Sequence, residues 1–188
     1  MLYIFDMGGV VLRNVFELKD ILEAEGADLD MFSLYRDDLM DRYSAGKITE
    51  EAYWEGFNKL YGTQIRAPRW GRFFNPEVDT EMVAFIEELK RNNRVVCGSN
   101  TIDPHWKWSM NRGDYNCFHK VYASHLMGVA KPDTRFWEMI LESEEAKAEE
   151  AVFIDDFPDN VEAAASMGIR AVLYRDLSSL REELALPV

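Results

Sequence analysis

The sequence predicts an α/β protein built on a parallel sheet of about five strands with helices on both faces. Short apolar runs of β-prone residues recur along the chain, and segments with apolar residues at helical spacing lie between them. Strands that alternate with helices in this way form parallel sheets. A chain of 188 residues has room for one such domain with a small insert.

The predicted strands are short and apolar enough to be buried. The first, residues 2–5, stops at Asp6 and is followed by Gly8-Gly9, which indicates a buried parallel strand that runs into a turn. Similar runs predict the remaining strands at residues 95–97, 120–123, 151–154 and 171–174. The expected architecture is therefore a Rossmann-like sheet.

Helices are predicted between these strands. One stretch begins at Asp159 and stops at Met167 before Gly168, which is typical of a helix C-terminus. Two further segments have apolar residues at helical spacing, namely Val78, Met82, Phe85, Ile86 and Leu89, and then Phe136, Met139 and Ile140.

About 70 residues separate the first strand from the helix that begins near Pro76, and no convincing strand is found there. Three amphipathic stripes instead predict a small helical cap. Their members are Leu18, Ile21 and Leu22; Phe32, Leu34, Tyr35 and Leu39; and Tyr53, Trp54, Phe57, Leu60 and Tyr61, after a helix start at Thr49-Glu50-Glu51. We predict a core of residues 1–13 and 76–188 and a cap of residues 14–75.

The aromatic residues of the cap are typical of core packing in a small helical bundle. A sharper hypothesis is that some of them line a substrate pocket. The candidates for contact with a substrate are Trp54, Phe57, Tyr61, Trp70 and Arg72.

Composition narrows the classes of function. Apolar residues make up 47% of the chain, and the net charge is −13. Such a charge repels phosphate backbones and anionic membranes, so neither nucleic acid nor a membrane is an expected partner. The start MLYIFDMGG lacks the pattern of a signal peptide, which predicts a cytoplasmic protein. An anionic substrate would need local positive charge at its site.

Polar residues follow four of the five predicted strands, where ligands bind in open parallel sheets. Any one of them alone is typical of a helix cap or an ordinary turn. In chain order, they are Asp6, Gly98-Ser99-Asn100-Thr101, Lys131-Pro132-Asp133 and Asp155-Asp156.

In this order the four motifs resemble those of the haloacid dehalogenase superfamily. The resemblance covers nearly the whole chain, since the helical insert corresponds to that superfamily's small cap. The combination of FDMGGVV, GSNT, AKPD and FIDDFPDNVEAA is most similar to the sugar-phosphate phosphatase branch, that of the α-D-glucose-1-phosphate phosphatases, which is close to the phosphatase domain of soluble epoxide hydrolases.

The resemblance implies a role for each motif. Asp6 would be the nucleophile that forms an aspartyl-phosphate, and Mg²⁺ would be held by Asp6, Asp156 and the carbonyl of Gly8. Ser99, Asn100 and the backbone beside them would bind the phosphoryl oxygens, and Lys131 would supply positive charge. Asp155 would be either a direct ligand of the ion or a residue that orients the ligands from behind. Asp159 and Asn160, which begin the helix after the fourth strand, would cap that helix and orient the group.

One position departs from the usual pattern of the superfamily. Most of its phosphatases have a second Asp in the first motif, which protonates the leaving group, whereas this chain has Gly8. A general acid is worth about 10² to 10⁴ in rate, so its loss favours leaving groups that depart easily, such as those of sugar 1-phosphates or acyl phosphates. His105 is a candidate surrogate acid.

The predicted function is magnesium-dependent hydrolysis of a small phosphorylated metabolite, such as glucose 1-phosphate. Two alternatives remain open. Gly8 is compatible with a catalytically inactive protein that keeps the fold for binding or regulation. A 2-haloacid dehalogenase also lacks the second Asp, but its chemistry needs no metal, and the pair Asp155-Asp156 favours one.

Overall fold

The computed structural model describes residues 1–27, 29 and 38–185. It confirms the predicted α/β fold. The strands are β1 (Leu2–Phe5), β2 (Leu12–Arg13), β3 (Glu77–Val78), β4 (Arg94–Ser99), β5 (Lys120–Ala123), β6 (Ala151–Asp155) and β7 (Arg170–Leu173). The helices are α1 (Leu18–Ala24), α2 (Leu39–Ser44), α3 (Glu50–Tyr61), α4 (Thr80–Lys90), α5 (Asp103–Arg112), α6 (Ser124–Met127), α7 (Arg135–Ser143), α8 (Pro158–Ser166) and α9 (Leu177–Glu183).

Five strands form one parallel sheet in the order β5-β4-β1-β6-β7. The central strand β1 pairs with β4 on one side and β6 on the other. The carboxyl ends of these three strands therefore lie side by side, and Asp6, Ser99 and Asp155 are at or next to those ends. All five predicted strands are present, and β4 and β6 are longer than predicted.

Side chains on the sheet alternate between two cores because successive residues of a strand point to opposite faces. On β1, Tyr3 and Phe5 pack with α4 in one cluster, whereas Leu2 and Ile4 pack with α7 in the other. Burial on both faces explains why the strands are continuous apolar runs rather than alternating ones. Burial on both faces also makes the sheet a rigid support for the residues at the ends of its strands.

A second, two-stranded sheet was missed by sequence analysis. Strand β2 pairs antiparallel with β3, so that Leu12 lies opposite Val78 and Arg13 opposite Glu77. Strands of two residues carry no periodic signal in the sequence. The pairing joins the two chain segments that flank the helical insert.

The insert contains α1, α2 and α3, whose apolar side chains form a separate core. Trp54, Phe57 and Trp70 are almost completely buried in it. Their rings therefore hold the helices of the insert together, and contact of these three residues with a substrate stays a prediction. Leu39 begins α2, and the predicted stripe members Phe32, Leu34 and Tyr35 lie outside the described residues.

A buried carboxylate fastens the insert to the sheet domain. Glu17 is 2% exposed and accepts hydrogen bonds from the amides of Gly71 and Phe73. Its Oε1 also lies 3.0 Å from Nε2 of His105 on α5. One side chain thus joins the beginning of the insert, its end and the helix that follows β4. Among the described helices, none is long and apolar enough to cross a membrane.

Asp79 caps α4, and its removal is expected to destabilise the fold. Its carboxylate accepts hydrogen bonds from the amides of Glu81 and Met82 and pairs with Arg13 at 2.5 Å. We expect Asp79→Ala to lower the free energy of unfolding by about 1 kcal/mol, as measured by urea denaturation at pH 7. Asp79→Asn, which keeps a capping oxygen, should lower the free energy of unfolding by less than Asp79→Ala does.

The stabilisation by Asp79 should depend on pH. Burial alone would raise the pKa of Asp79, but the amide of Met82 and the guanidinium of Arg13 hold that pKa below its usual value. Because its pKa is lower in the folded state, ionised Asp79 stabilises the fold at pH values above the ordinary Asp pKa of about 3.9. This stabilisation is lost as the pH falls through the folded-state pKa. If Asp79→Ala lowered the free energy of unfolding by the same amount at pH 3 and at pH 7, relative to the wild-type protein, this account would be contradicted.

Candidate active site

A buried lysine connects two carboxylates at the carboxyl edge of the sheet. Lys131 Nζ donates hydrogen bonds to Asp6 Oδ1 at 2.8 Å and to Asp155 Oδ2 at 2.6 Å. All three residues are buried. Asp6 directly follows β1 and Asp155 ends β6, so the adjacent central strands hold the carboxylates and the lysine lies between them.

Asn100 fixes the position of the lysine. Its Oδ1 accepts a hydrogen bond from the amide of Lys131 at 2.9 Å, and its Nδ2 donates to the carbonyl of the same residue at 2.8 Å. The side chain of Asn100 is therefore committed to the backbone of Lys131. Sequence analysis expected Asn100 to bind a phosphoryl group, and it did not anticipate this clamp, because the two residues are far apart in the chain.

Asp155 is held from the opposite side. Its Oδ1 accepts a hydrogen bond from the amide of Phe157 at 2.8 Å, and Nδ2 of Asn160 lies 3.1 Å from both carboxylate oxygens. The predicted orienting residues Asp155 and Asn160 are thus brought together behind the site. Asp159 lies exposed in the first turn of α8 and not among these buried groups, so the structure does not bring it into the site.

Asp156 has a different environment from its neighbour. Its Oδ1 is buried and has no hydrogen-bond partner in the described part of the chain. The backbone of Gly9, at φ +74°, passes so close that a Cβ at that position would overlap the Asp156 carboxylate. Burial raises the pKa of Asp156, and the charge of Asp155 adds to the rise. An unpartnered buried oxygen of this kind needs a cation or a proton.

Three carboxylates face one ammonium at this edge. Asp6, Asp155 and Asp156 each offer an oxygen within 4.8 Å of the others. Burial raises the pKa of Asp6 to about 7; the charge of Lys131 opposes this rise, and that of Asp155 adds to it. The group lacks positive charge, and its oxygen-only donor set is the kind that Mg²⁺ and Ca²⁺ prefer. The residues present therefore fit a divalent cation.

Ser99 and Gly8 complete the rim next to Asp6. Ser99 is buried at the end of β4, and its hydroxyl oxygen lies 3.5 Å from the carbonyl of Asn100, at the outer limit for a hydrogen bond. The hydroxyl is thus available to another partner. Gly8 lies two residues after Asp6, and its Cα faces the methyl groups of Val15.

His105, the candidate surrogate acid, is engaged elsewhere. Its Nε2 pairs with the buried Glu17, and its ring stacks on Phe74 at a centroid distance of 3.8 Å and an angle of 7°. These contacts join the helical insert to α5, which is a structural role.

A family model places this architecture among known proteins. The model that matches residues 1–168 is that of the haloacid dehalogenase-like hydrolases. The chain belongs to this family. The predicted superfamily is thereby confirmed, and with it the prediction that the protein is a hydrolase.

Relatives of this haloacid dehalogenase-like hydrolase include two fungal proteins. A sesquiterpene phosphatase of Aspergillus oryzae is 26% identical over 178 residues, which cover 88% of this chain and 85% of that protein. A drimenol cyclase of Aspergillus calidoustus is 28% identical over 155 residues, which cover 78% of this chain. The match spans only 29% of the cyclase.

A solved structure shares the whole fold. The enzyme bt-2542 of Bacteroides thetaiotaomicron, a member of the same family crystallised with magnesium and inorganic phosphate, superposes with a TM-score of 0.72 at 23% identity. The superposition covers 95% of this chain and 98% of that one. The likeness extends through the sheet and the helical insert.

The buried lysine is expected to be essential for stability when no metal is bound. Lys131→Met leaves Asp6 and Asp155 buried without a counter-charge, and we expect it to lower the free energy of unfolding by about 3 to 5 kcal/mol in chelator. Lys59→Met is the matched control, because Lys59 is exposed on α3, and should change that free energy by less than about 0.5 kcal/mol. Equal losses in the two variants, measured by urea denaturation, would contradict the account.

Proposed function

We propose that this hydrolase cleaves a small phosphate monoester with Mg²⁺ and that the phosphoryl group passes through Asp6. One observation carries the proposal: the carboxylate of Asp6 is held at 2.8 Å by a buried lysine beside the unpartnered oxygen of Asp156. This arrangement supplies a fixed nucleophile, a positive charge and a place for a cation at one point.

The proposed chemistry has two displacements. A carboxylate oxygen of Asp6 forms a bond to phosphorus while the bond from phosphorus to the ester oxygen breaks, and the electron pair leaves with that oxygen. Water then attacks the phosphorus of the aspartyl-phosphate, which releases inorganic phosphate and restores the carboxylate of Asp6. Division into two easier steps is the advantage of a covalent intermediate.

The surrounding residues would bind and orient the reacting groups. Lys131 fixes one oxygen of Asp6 and offers positive charge to the phosphoryl oxygens, and Ser99 offers its weakly bonded hydroxyl. Asn100 acts through Lys131, whose backbone it clamps, rather than through the substrate. Asp155 and Asn160 orient the lysine from behind.

The proposed ligands of Mg²⁺ are Asp6, Asp156 and the carbonyl of Gly8. When bound, the ion would neutralise negative charge on the phosphoryl group and the carboxylates. The magnesium and phosphate in the bt-2542 enzyme and the name of the sesquiterpene phosphatase support this assignment. A dehalogenase would have no use for the three clustered carboxylates, which favours phosphoryl transfer.

The specific substrate is a narrower part of the proposal. Gly8 places no proton donor beside the leaving group, so the ester oxygen should be that of a weakly basic alcohol. Glucose 1-phosphate, the substrate class that the sequence predicts, meets this requirement better than a primary-alcohol phosphate. An inactive binding protein remains the alternative, and it too rests on Gly8.

Activity is expected to require magnesium and Asp6. A panel of acetyl phosphate, glucose 1-phosphate and other phosphate esters should release phosphate with Mg²⁺ and none with chelator. Asp6→Asn should lose at least about 10³-fold in kcat, because it removes the nucleophile. Asp159→Asn is the control, since Asp159 is exposed and outside the group. A folded, metal-binding protein that is silent across the panel would favour the binding protein instead.

Metal binding can be tested without turnover. We expect Mg²⁺ to raise the melting temperature of the wild-type protein, because a ligand that binds only the folded state stabilises it. Asp156→Asn should abolish that rise while the melting temperature in chelator stays the same or increases, since its unpartnered charge is gone. If Mg²⁺ raised the melting temperature of this variant as much as that of the wild-type protein, Asp156 would not be a ligand.

A further inference from the structure

A buried hydroxyl lies beside the loop that follows β4. Strand β5 pairs with β4 so that Ala123 lies opposite Ser99, and Ser124 therefore comes next to Asn100 at the same edge of the sheet. Ser124 is completely buried. Its Oγ accepts a hydrogen bond from the amide of Thr101 at 3.0 Å. The backbone that follows Asn100 is thus held by a side chain of the segment that follows β5.

The same hydroxyl reaches the helical insert. Ser124 Oγ lies 2.5 Å from the carbonyl oxygen of Ser44 and 3.2 Å from that of Thr101. A hydroxyl has one hydrogen to donate, and the shorter distance assigns that hydrogen to Ser44. Ser44 ends α2, and the last carbonyl groups of a helix have no partner within the helix. Ser124 therefore joins a carbonyl of the insert to the loop after β4.

The insert and the sheet domain approach each other closely at this point. Gly46, two residues after α2, has φ +65°, and a Cβ built on it would overlap the carbonyl oxygen of His125 on α6. Only glycine combines this backbone conformation with so little space. The absence of a side chain at Gly46 is what allows α2 to lie within hydrogen-bond distance of Ser124.

The loop that Ser124 holds carries two groups of the site. Ser99 is proposed to bind the phosphoryl group, and Asn100 clamps the backbone of Lys131. Both come directly before Thr101, so a shift of the Thr101 backbone would displace them. A displacement of about 1 Å at a reacting centre can cost about 100-fold in rate. The position of this loop therefore matters for the proposed reaction.

We propose that Ser124 is a positioning residue, which fixes the loop of Ser99 and Asn100 and makes its position depend on the docked insert. This rests on the proposed function and assigns the insert a part in it. The hydroxyl donates its hydrogen to Ser44 and accepts one from Thr101. It thus acts through the backbone rather than on the substrate.

The first test compares Ser124→Ala with Ser109→Ala in the full chain with Mg²⁺. Ser124→Ala leaves the amide of Thr101 and the carbonyl of Ser44 without their partner, and we expect kcat/KM for acetyl phosphate to fall at least about tenfold. Ser109 on α5 is also completely buried, but its hydroxyl has no hydrogen-bond partner among the described residues. Ser109→Ala should therefore stay within about twofold of the wild-type value. Equal losses in the two variants would overturn the role of Ser124.

Two binding measurements separate positioning from a general loss of structure. Ser124 holds the loop after β4 and not the proposed Mg²⁺ ligands Asp6 and Asp156, so Mg²⁺ should raise the melting temperature of Ser124→Ala as much as that of the wild-type protein. Inhibition by inorganic phosphate should weaken by at least about fivefold, because the loop would bind the phosphoryl group less well. Loss of the response to Mg²⁺, or unchanged inhibition by phosphate, would contradict the proposal.

The dependence on the insert is tested at Gly46. Gly46→Ala changes no residue of the sheet domain, but its Cβ forces α2 away from α6, and we expect it to lower kcat/KM at least about tenfold. Added to Ser124→Ala, it should cause little further loss, since both variants break one connection. Gly62→Ala is the matched control, because Gly62 follows α3 at φ +71° with open space where the Cβ would lie. Equal effects of the two glycine variants, or additive losses in the double variant, would refute the dependence on the insert.

The two proposals fail in different ways. No phosphate release from acetyl phosphate by the wild-type protein would refute phosphatase activity itself. Release by the wild-type protein that persists undiminished in Ser124→Ala would refute only the role of Ser124 and leave the nucleophile in place.

Discussion

The site depends on a buried ammonium shared by two carboxylates. Lys131 neutralises Asp6 and Asp155 at once, and without it the carboxyl ends of β1 and β6 would bring like charges together in a dry environment. Such a group is stable only when each member is paired and hydrogen-bonded. Asn100 and Asn160 satisfy that condition, one through the backbone of the lysine and one through the second carboxylate.

The remaining charge imbalance at this edge of the sheet is the basis of the proposed phosphoryl chemistry. One ammonium does not compensate three carboxylates, and Asp156 keeps an unpartnered buried oxygen. Three carboxylates and one ammonium leave two negative charges, which one divalent cation would neutralise; an anion could then approach this edge in a chain whose overall charge of −13 repels anions. The positive charge of Lys131 is local, buried and fixed by Asn100, so the acidic surface need not prevent an anion from binding.

Much of this arrangement could be predicted from the sequence because it is local. Asp6, Ser99 and Asp155 lie at or next to the ends of β1, β4 and β6, which the order of parallel strands brings side by side. Lys131 lies beyond β5 and α6 and was predicted from its motif instead. The clamp of Asn100 on Lys131 depends on tertiary packing between distant segments and left no periodic signal. The cap aromatics Trp54, Phe57 and Trp70 were ambiguous because a packed ring and a ligand-binding ring look alike in a sequence.

The most direct test of the account is to look for the phosphoryl group on Asp6. An excess of the protein is mixed with acetyl phosphate and Mg²⁺, quenched in acid within the first turnover and digested, and the N-terminal peptide is examined by mass spectrometry. The account predicts a phosphorylated peptide that contains Asp6, that hydroxylamine converts to the Asp6 hydroxamate with release of inorganic phosphate, and that is absent from Asp6→Asn. Full turnover with no phosphorylated intermediate, or with phosphate on another residue, would contradict it.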